Sequence, residues 1–164
     1  YDKLTGLLTL EFFRTALSWE LERRASAAKG CAVVMMDLDD FKRTNDTHGH
    51  LVGDQVLKAF AYLLRQRLRL SASIGRFGGD EYLVVLPETD AEAARHAMDD
   101  IRRNFAAVEH DTGHASFKVT VSGGVAGFPE AATSHQLIAA ADGALYRAKR
   151  AGRNCVFRAE SEGE

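Results

Sequence analysis

Two acidic residues stand at the tip of a predicted hairpin. The stretch Arg76–Tyr82 contains Gly78-Gly79 followed by Asp80-Glu81 and separates two β-prone runs. The glycine pair favours a tight turn, because hairpin turns need positive φ and glycine adopts it without steric cost. Backbone without side chains would let a phosphate chain approach while the two carboxylates hold a divalent cation. The simpler interpretation is a solvated turn, since Gly and Asp are ordinary turn residues.

A second set of acids follows a predicted strand. Residues 31–36 form a continuous apolar, β-prone run, which is typical of a buried strand. The segment that comes directly after it is Asp37-Leu38-Asp39-Asp40. Cation binding at the end of the strand is one interpretation of these acids. The alternative is a turn in which one acid caps the short helix that follows.

The elements that would hold these acids follow from hydrophobic periodicity and turn signals. Helices are predicted over residues 11–28, 52–68, 91–108 and 134–150, with cap candidates Thr89, Asp90, Thr133 and Ser134. Strands are predicted over residues 31–36, 72–77, 82–86, 117–125 and 154–158, with a polar loop at 110–115. The middle of the chain therefore has the order β-α-β-β-α-β, the split arrangement of ferredoxin-like α/β (α+β) folds.

This topology predicts where the acids meet. Its first strand is central and pairs with one arm of the hairpin, which would bring Asp37 and Asp39 close to Asp80 and Glu81. Four converging carboxylates repel one another unless a cation neutralises them, and oxygen ligands favour Mg²⁺ or Mn²⁺. Such a cation beside a triphosphate lowers the pKa of an attacking hydroxyl and neutralises developing charge. The arrangement is that expected for nucleotidyl transfer.

Phosphate and base contacts are predicted on the segment after these acids. Residues 41–46 favour a helical turn whose free amides, with Lys42, would bind phosphate. Asn45 and Asp54 are the pair that we expect to read a base, because an Asp accepts hydrogen bonds from the N1–H and N2–H₂ edge of guanine. The alternatives are a turn residue and a first-turn helix acid, respectively.

Cations and histidines complete the set of candidates. Tyr146, Lys149 and Arg153 form a cationic stretch that would meet terminal phosphates, although cations also stabilise a helix C-terminus. His48 and His50 without soft ligands are poor evidence for zinc. We therefore expect His48 to be exposed and His50 to cap or pack.

Length and composition limit the class of protein. The chain has 164 residues, of which 46% are hydrophobic and 27% charged, as in one globular domain, here 1–158 with an acidic tail at 159–164. A net charge of −2 argues against a broad nucleic-acid-binding face. Neither a membrane-length apolar run nor a signal peptide is present, so a cytoplasmic domain is expected, with Cys31 and Cys155 reduced. The abrupt start at Tyr1 suggests a piece of a longer protein with a separate sensory or dimerising domain.

As a set, these motifs resemble the GGDEF family of diguanylate cyclases. The matching segments are Asp2–Leu7, Asp37–Lys42 with Asn45-Asp46, Gly49-His50 with Gly53-Asp54, Arg76–Tyr82, Val119–Ser122 with Gly124–Ala126, and Ala144–Lys149 with Gly152–Asn154. Motifs in this order and at this spacing, over nearly the whole chain, are far more specific than any one of them.

The resemblance implies a palm-type domain related to nucleotide cyclase catalytic domains. Two GTP molecules, one per domain, would condense to cyclic di-GMP across an antiparallel homodimer. The implied ligands of Mg²⁺ or Mn²⁺ are Asp37, Asp80, Glu81 and the Leu38 carbonyl, and Glu81 or Asp80 would assist deprotonation of the 3′-hydroxyl. The implied substrate-binding residues are Asp40, Phe41, Lys42, Asn45, Asp54, Gly78, Gly79, Lys149 and Arg153, with phosphate at 41–42, 149 and 153 and guanine at 45 and 54.

The chain departs from the family pattern at three places. Tyr82 stands where the family usually has Phe, and Thr9-Leu10 where it has an Asn-Arg pair whose Arg helps to hold acids of the site. The product-inhibition site usually reads Arg-x-x-Asp, but here Arg69 is followed by Ala72 at the Asp position, which predicts weak feedback by cyclic di-GMP. The alternatives to an active cyclase are a silent nucleotide-binding or dimerisation module and a sheet-based RNA-binding module.

Overall fold

The structure is a computed structural model that describes residues 1–24 and 30–160. The helices are α1 (Leu10–Arg24), α2 (Phe41–His48), α3 (His50–Arg67), α4 (Ala91–Ala107) and α5 (Ser134–Arg150). The strands are β1 (Cys31–Leu38), β2 (Ser73–Arg76), β3 (Glu81–Pro87), β4 (His110–Asp111), β5 (Ser116–Phe117), β6 (Val121–Phe128) and β7 (Val156–Arg158). Residues 25–28 of the first predicted helix and 161–164 of the predicted tail lie outside the described residues.

The central sheet confirms the ferredoxin-like prediction. Its strand order is β2-β3-β1-β6-β7, with β1 antiparallel to both β3 and β6 and β7 parallel to β6. β1 is central and pairs with one arm of the hairpin, as the topology predicted, and that arm is β3. The end of β1 therefore lies beside the hairpin tip.

The sheet is covered on both faces. On one face, even-numbered residues of β1 pack with Tyr82 and Val84 against α3 and α4. On the other face, Val33 and Met35 pack against α1 and α5. Because β1 is buried on both sides, its sequence is continuously apolar rather than alternating. No helix among residues 1–24 and 30–160 is long and apolar enough to cross a membrane.

Helix boundaries were predicted best where the residue before the helix is a good N-cap. α5 spans the predicted 134–150, and Thr133 accepts a hydrogen bond from Gln136 N in a capping box. Asp90 caps α4 by accepting from Ala93 N at 2.7 Å. The segment predicted as a helical turn at 41–46 is the helix α2.

Three boundaries in the β-structure were predicted wrongly. β1 continues through Asp37, which pairs with Glu81 on one side and Ser122 on the other. The predicted strand 117–125 is divided between β5 and β6. The predicted polar loop at 110–115 contains β4, which pairs with β5, because His110 is buried between the rings of Phe105 and Phe117.

Candidate active site

The acids of β1 and of the hairpin meet at one edge of the sheet. Asp37 lies opposite Glu81 in the β1–β3 ladder, and Leu38 N donates to Asp80 O at 3.2 Å. The side chain of Asp80 is within hydrogen-bond reach of Asp37. The juxtaposition of Asp37 with Asp80 and Glu81, inferred from topology alone, is present in the structure.

Arg76 holds the hairpin tip in shape. Its guanidinium donates to Gly79 O at 3.0 and 2.7 Å, and its other nitrogen reaches the Asp2 carboxylate at 3.1 Å. Neither Gly78 nor Gly79 has a positive φ, so the predicted reason for glycine here was wrong. A Cβ built at Gly79 would meet no described atom within 4 Å. Gly79 therefore leaves open space beside the tip, and a Cβ at Gly78 would lie 3.8 Å from Glu81 Oε2, so neither glycine is required by a left-handed turn.

The electrostatics of the edge centre on Asp37. Burial raises the pKa of Asp37 to about 7, and the neighbouring Asp80 carboxylate adds to the rise. Lys149 opposes it, with Nζ 2.7 Å from Asp37 Oδ2. Burial also raises the pKa of Glu81, helped by the negative charges of Asp80 and Asp142. The carboxylates of Asp37 and Glu81 are thus both more basic than an exposed carboxylate.

The donor set suits a divalent cation that takes few protein ligands. Asp37 Oδ1 is buried and accepts no hydrogen bond from the described residues. Within residues 1–24 and 30–160, no group of three His, Cys, Asp or Glu side chains is placed to hold a metal ion, so a cage of four carboxylates is not formed. Asp37 and Asp80 with a backbone carbonyl still fit Mg²⁺, which usually binds through one or two carboxylates plus substrate phosphates.

Asp39 is the acid that does not join this edge. Its carboxylate is 5% exposed and accepts from Thr120 Oγ1, Ser122 Oγ and Asn154 N. Asp39 was predicted to lie close to Asp80 and Glu81, but its carboxylate bonds instead to donors beside β6 and in the loop after α5. β1 ends at Leu38, one residue before it.

The start of α2 combines an exposed acid with an exposed Lys. Asp40 occupies the N-cap position with a left-handed φ of 54°, but its carboxylate makes no capping hydrogen bond with the described residues. The alternative interpretation, in which one acid caps this helix, is thus met by the position of Asp40 but not by a side-chain hydrogen bond within the described residues. The Phe41 ring is buried in the core, so any phosphate contact at this position comes from its backbone. Lys42 is exposed beside it.

The predicted base-reading pair lies where α2 meets α3. Asn45 Oδ1 is buried and accepts no hydrogen bond from the described residues. It lies against Gly53, where a Cβ would come within 1.7 Å of it. Asp54 is half-buried in the second turn of α3, not in the first turn as the alternative interpretation required.

The two histidines exchange their predicted roles. His48 is half-buried and stacks on Phe117 with ring centroids 4.0 Å apart, whereas His50 is exposed at the start of α3.

The cations divide between two acids. Lys149 meets Asp37, and Arg153 Nε lies 3.8 Å from Asp40 Oδ1. Tyr146 does not join them, because its ring and hydroxyl contact Arg150. Sequence reasoning missed Asp142 as a neighbour of Glu81, although its spacing of seven residues from Lys149 places both on one face of α5.

Comparison with known proteins decides the family. A sequence model of the family described as "Diguanylate cyclase, GGDEF domain" matches residues 1–155. The chain belongs to the GGDEF family.

Individual relatives agree with this membership. The diguanylate cyclase DgcP of Pseudomonas aeruginosa is 40% identical over 153 residues, which cover 93% of this chain and 23% of DgcP. The GGDEF domain of YfiN (TpbB) from the same organism has a TM-score of 0.93 at 34% identity, covering 98% of this chain and 94% of that one. The GGDEF domain of DgcB from Caulobacter crescentus, solved with c-di-GMP, has a TM-score of 0.92 at 29% identity, with coverage of 98% and 93%. This GGDEF chain spans 23% of the length of DgcP and 51% of the length of the diguanylate cyclase DgcS of Shewanella oneidensis.

The structure shows what surrounds two of the departures from the family pattern. Tyr82 is fully buried, and its hydroxyl donates to Leu57 O in α3 at 2.8 Å. Arg69 and Ala72 lie in the turn between α3 and β2, where Ala72 N donates to Arg69 O at 3.0 Å. They line a groove of about 360 Å³ together with Tyr1 and Leu70. Ala72 contributes no carboxylate to this groove.

Proposed function

We propose that this GGDEF domain condenses two GTP molecules into cyclic di-GMP and two pyrophosphates, as a diguanylate cyclase that uses Mg²⁺ or Mn²⁺. The observation that carries the proposal is the approach of Asp37 and Asp80 at the edge where Lys149 also points. The names of the relatives, which include diguanylate cyclases, support the same reaction.

The acids of the edge have two roles in this proposal. Asp37, Asp80 and the Leu38 carbonyl would hold the cation, with Glu81 beside them. When bound, the cation supplies neutralisation of phosphate charge and a lower pKa of the attacking hydroxyl. Glu81 takes the proton of the 3′-hydroxyl, or Asp80 does; the new O–P bond forms at the α-phosphorus as the bond to pyrophosphate breaks. The raised pKa of Glu81 suits this role of base.

The remaining predicted residues bind the substrate. Lys149 and Arg153 would contact the terminal phosphates, and the backbone at Phe41-Lys42 would contact phosphate at the start of α2. Gly78 and Gly79 would leave room for the nucleotide to pass the hairpin tip, which is supported by the open space around Gly79.

Guanine would be read where α2 meets α3. Asn45 has a buried oxygen that lacks a donor among the described residues, and the Asp54 carboxylate accepts from the N1–H and N2–H₂ edge. A buried acceptor left without a donor is costly, so a base that supplies the donor gains affinity. Asp40 lies at the N-terminal end of α2 and would border the bound nucleotide.

The proposed reaction joins two GTP molecules, and each domain offers one set of the GTP-binding residues named above. Two copies of the domain are therefore needed. We propose an antiparallel homodimer in which each protomer presents its own GTP to that of its partner. A dimerising or sensory segment elsewhere in the protein would raise the effective concentration of the two half-sites.

Turnover of GTP with Mg²⁺ tests the proposal. We expect wild-type protein to form cyclic di-GMP and Asp80→Ala to form none while keeping its thermal unfolding transition. Asp100→Asn, an exposed acid of α4 whose carboxylate lies 3.4 Å from Arg103, serves as a control and retains activity. Binding of GTP without turnover by the wild type, at concentrations that allow dimers, would instead favour a silent nucleotide-binding module.

Feedback by the product is proposed to be weak. Arg69 remains, but Ala72 stands at the position of the acid that the family uses with it. We expect calorimetry to show weak binding of cyclic di-GMP at this groove and Ala72→Asp to strengthen it. Tight product binding by the wild type that depends on Arg69 would contradict this prediction.

A further inference from the structure

The loop between α5 and β7 has an uncommon backbone. Arg153 and Asn154 both have left-handed φ values, of 64° and 50°, and Asp40, which faces Arg153, has a φ of 54°. Residues with a Cβ rarely adopt this region, and they keep it only where surrounding contacts hold them there. The placement of Arg153 therefore depends on whatever fixes this loop.

Asp39 is the residue that fixes it. Its Oδ2 accepts from Asn154 N at 3.0 Å and from Thr120 Oγ1 at 2.7 Å. Its Oδ1 accepts from Ser122 Oγ at 2.7 Å, and the same Ser122 oxygen lies 3.0 Å from Asn154 N. A buried carboxylate with donors on both oxygens is satisfied and rigid, and bonds to an ionised acceptor are stronger than neutral ones. One side chain thus joins β6 to the loop.

Two further contacts complete the anchor. Arg102 of α4 donates to Asn154 Oδ1 at 2.9 Å. Arg153 N donates to Ala148 O at 3.1 Å, which keeps the loop against the last turn of α5, where Lys149 lies. The side chains of Arg153 and Lys149 are thereby set beside Asp40 and Asp37, respectively.

We propose that Asp39 is a positioning residue for the terminal phosphates of the nucleotide and not a ligand of the metal ion. It acts through the backbone of Asn154, which sets the direction of Arg153 next to it. This inference rests on the proposed function only for the identity of the ligand. The anchoring of the loop is inferred from the hydrogen bonds of Asp39 and does not depend on the proposed function.

Nucleotide affinities separate this role from a general structural one. We expect Asp39→Asn to weaken binding of a non-hydrolysable GTP analogue with Mg²⁺ about 10-fold, because an amide offers one acceptor oxygen where the carboxylate uses two. Binding of GMP, which lacks the terminal phosphates, should change less than about twofold. Ser122→Ala removes only the hydroxyl that bonds to Asp39 and Asn154. If Asp39→Asn folds poorly, this variant should show the same weaker binding of the GTP analogue with little change for GMP. Asp90→Asn, at the cap of α4, should leave both affinities unchanged.

Two measurements without turnover complete the test. Amide hydrogen exchange at Asn154 should become faster in Asp39→Asn, and Mn²⁺ binding followed by electron paramagnetic resonance should be lost in Asp37→Asn but kept in Asp39→Asn. Equal losses for GTP analogue and GMP, unchanged exchange at Asn154, or loss of Mn²⁺ in Asp39→Asn would each overturn the proposal. Wild-type protein that binds neither nucleotide would refute the proposed function, whereas the exchange measurement would still decide whether Asp39 holds the loop.

Discussion

A substitution at Gly53 should displace the Asn45 side chain while leaving Asn45 itself unchanged. The glycine lies near the start of α3, and a Cβ there would stand 1.7 Å from Asn45 Oδ1, 2.9 Å from its Cγ and 3.3 Å from Phe41 Cζ. Ordinary contacts between such atoms exceed about 3.4 Å, so the amide must leave its position. Because the obstructing atoms are mainly the end of one side chain, Gly53→Ala should fold with a displaced Asn45.

The magnitude follows from the hydrogen bond that is lost. If Asn45 reads guanine, moving its oxygen by more than an ångström breaks that bond, which costs about 1–2 kcal/mol. The affinity for a GTP analogue should then fall about 5–30-fold. Stability should change by less than about 1 kcal/mol, since Ala favours helix over Gly by up to that amount and the displaced side chain opposes the gain.

Gly143 in α5 is the matched control. A Cβ there would meet no described atom within 4 Å, so Gly143→Ala gains helix propensity without a clash. We expect it to be stabilised by about 1 kcal/mol, to raise Tm by about 2–4 °C, and to bind nucleotide as the wild type does. Calorimetric titration with a GTP analogue and thermal unfolding measure both quantities. If Gly53→Ala bound the analogue as tightly as Gly143→Ala, Asn45 would not be a reader of guanine.

Two further predictions concern stability. Tyr82→Phe removes a buried hydroxyl that donates to Leu57 O. We expect the free energy of unfolding to fall by about 1 kcal/mol with little change in activity. A loss below about 0.3 kcal/mol would mean that this hydrogen bond makes no net contribution to stability. In metal-free protein, the raised pKa of Asp37 should make the free energy of unfolding depend on pH. Between its ordinary pKa of 3.8 and about 7, the folded state keeps a proton that the unfolded state has released, so this carboxyl lowers stability as pH rises through that window. Urea unfolding with a chelator should therefore show wild type losing stability relative to Asp37→Asn from pH 4 to 7, and a constant difference would refute the raised pKa.

Local signals in the sequence determined much of the framework. The continuous apolar run of β1 predicted a buried strand, and the cap candidates Thr133 and Ser134 predicted that α5 begins at 134, as it does. Such features depend on neighbours a few residues apart, which the sequence contains directly. The order of these elements then limited the topology to one in which Asp37 meets the hairpin.

Contacts between distant segments decided the rest. Asp39 is two residues from Asp37 and has the same chemistry, yet it is buried among Thr120, Ser122 and Asn154 because the strand ends between the two acids. Asp142 comes near Glu81 only through the packing of α5 across the sheet. Residue type and spacing thus determined that this chain brings acids to one edge of a sheet. Which acids face that edge depends on where the strand stops and on what packs beside it, and only the tertiary structure fixes both.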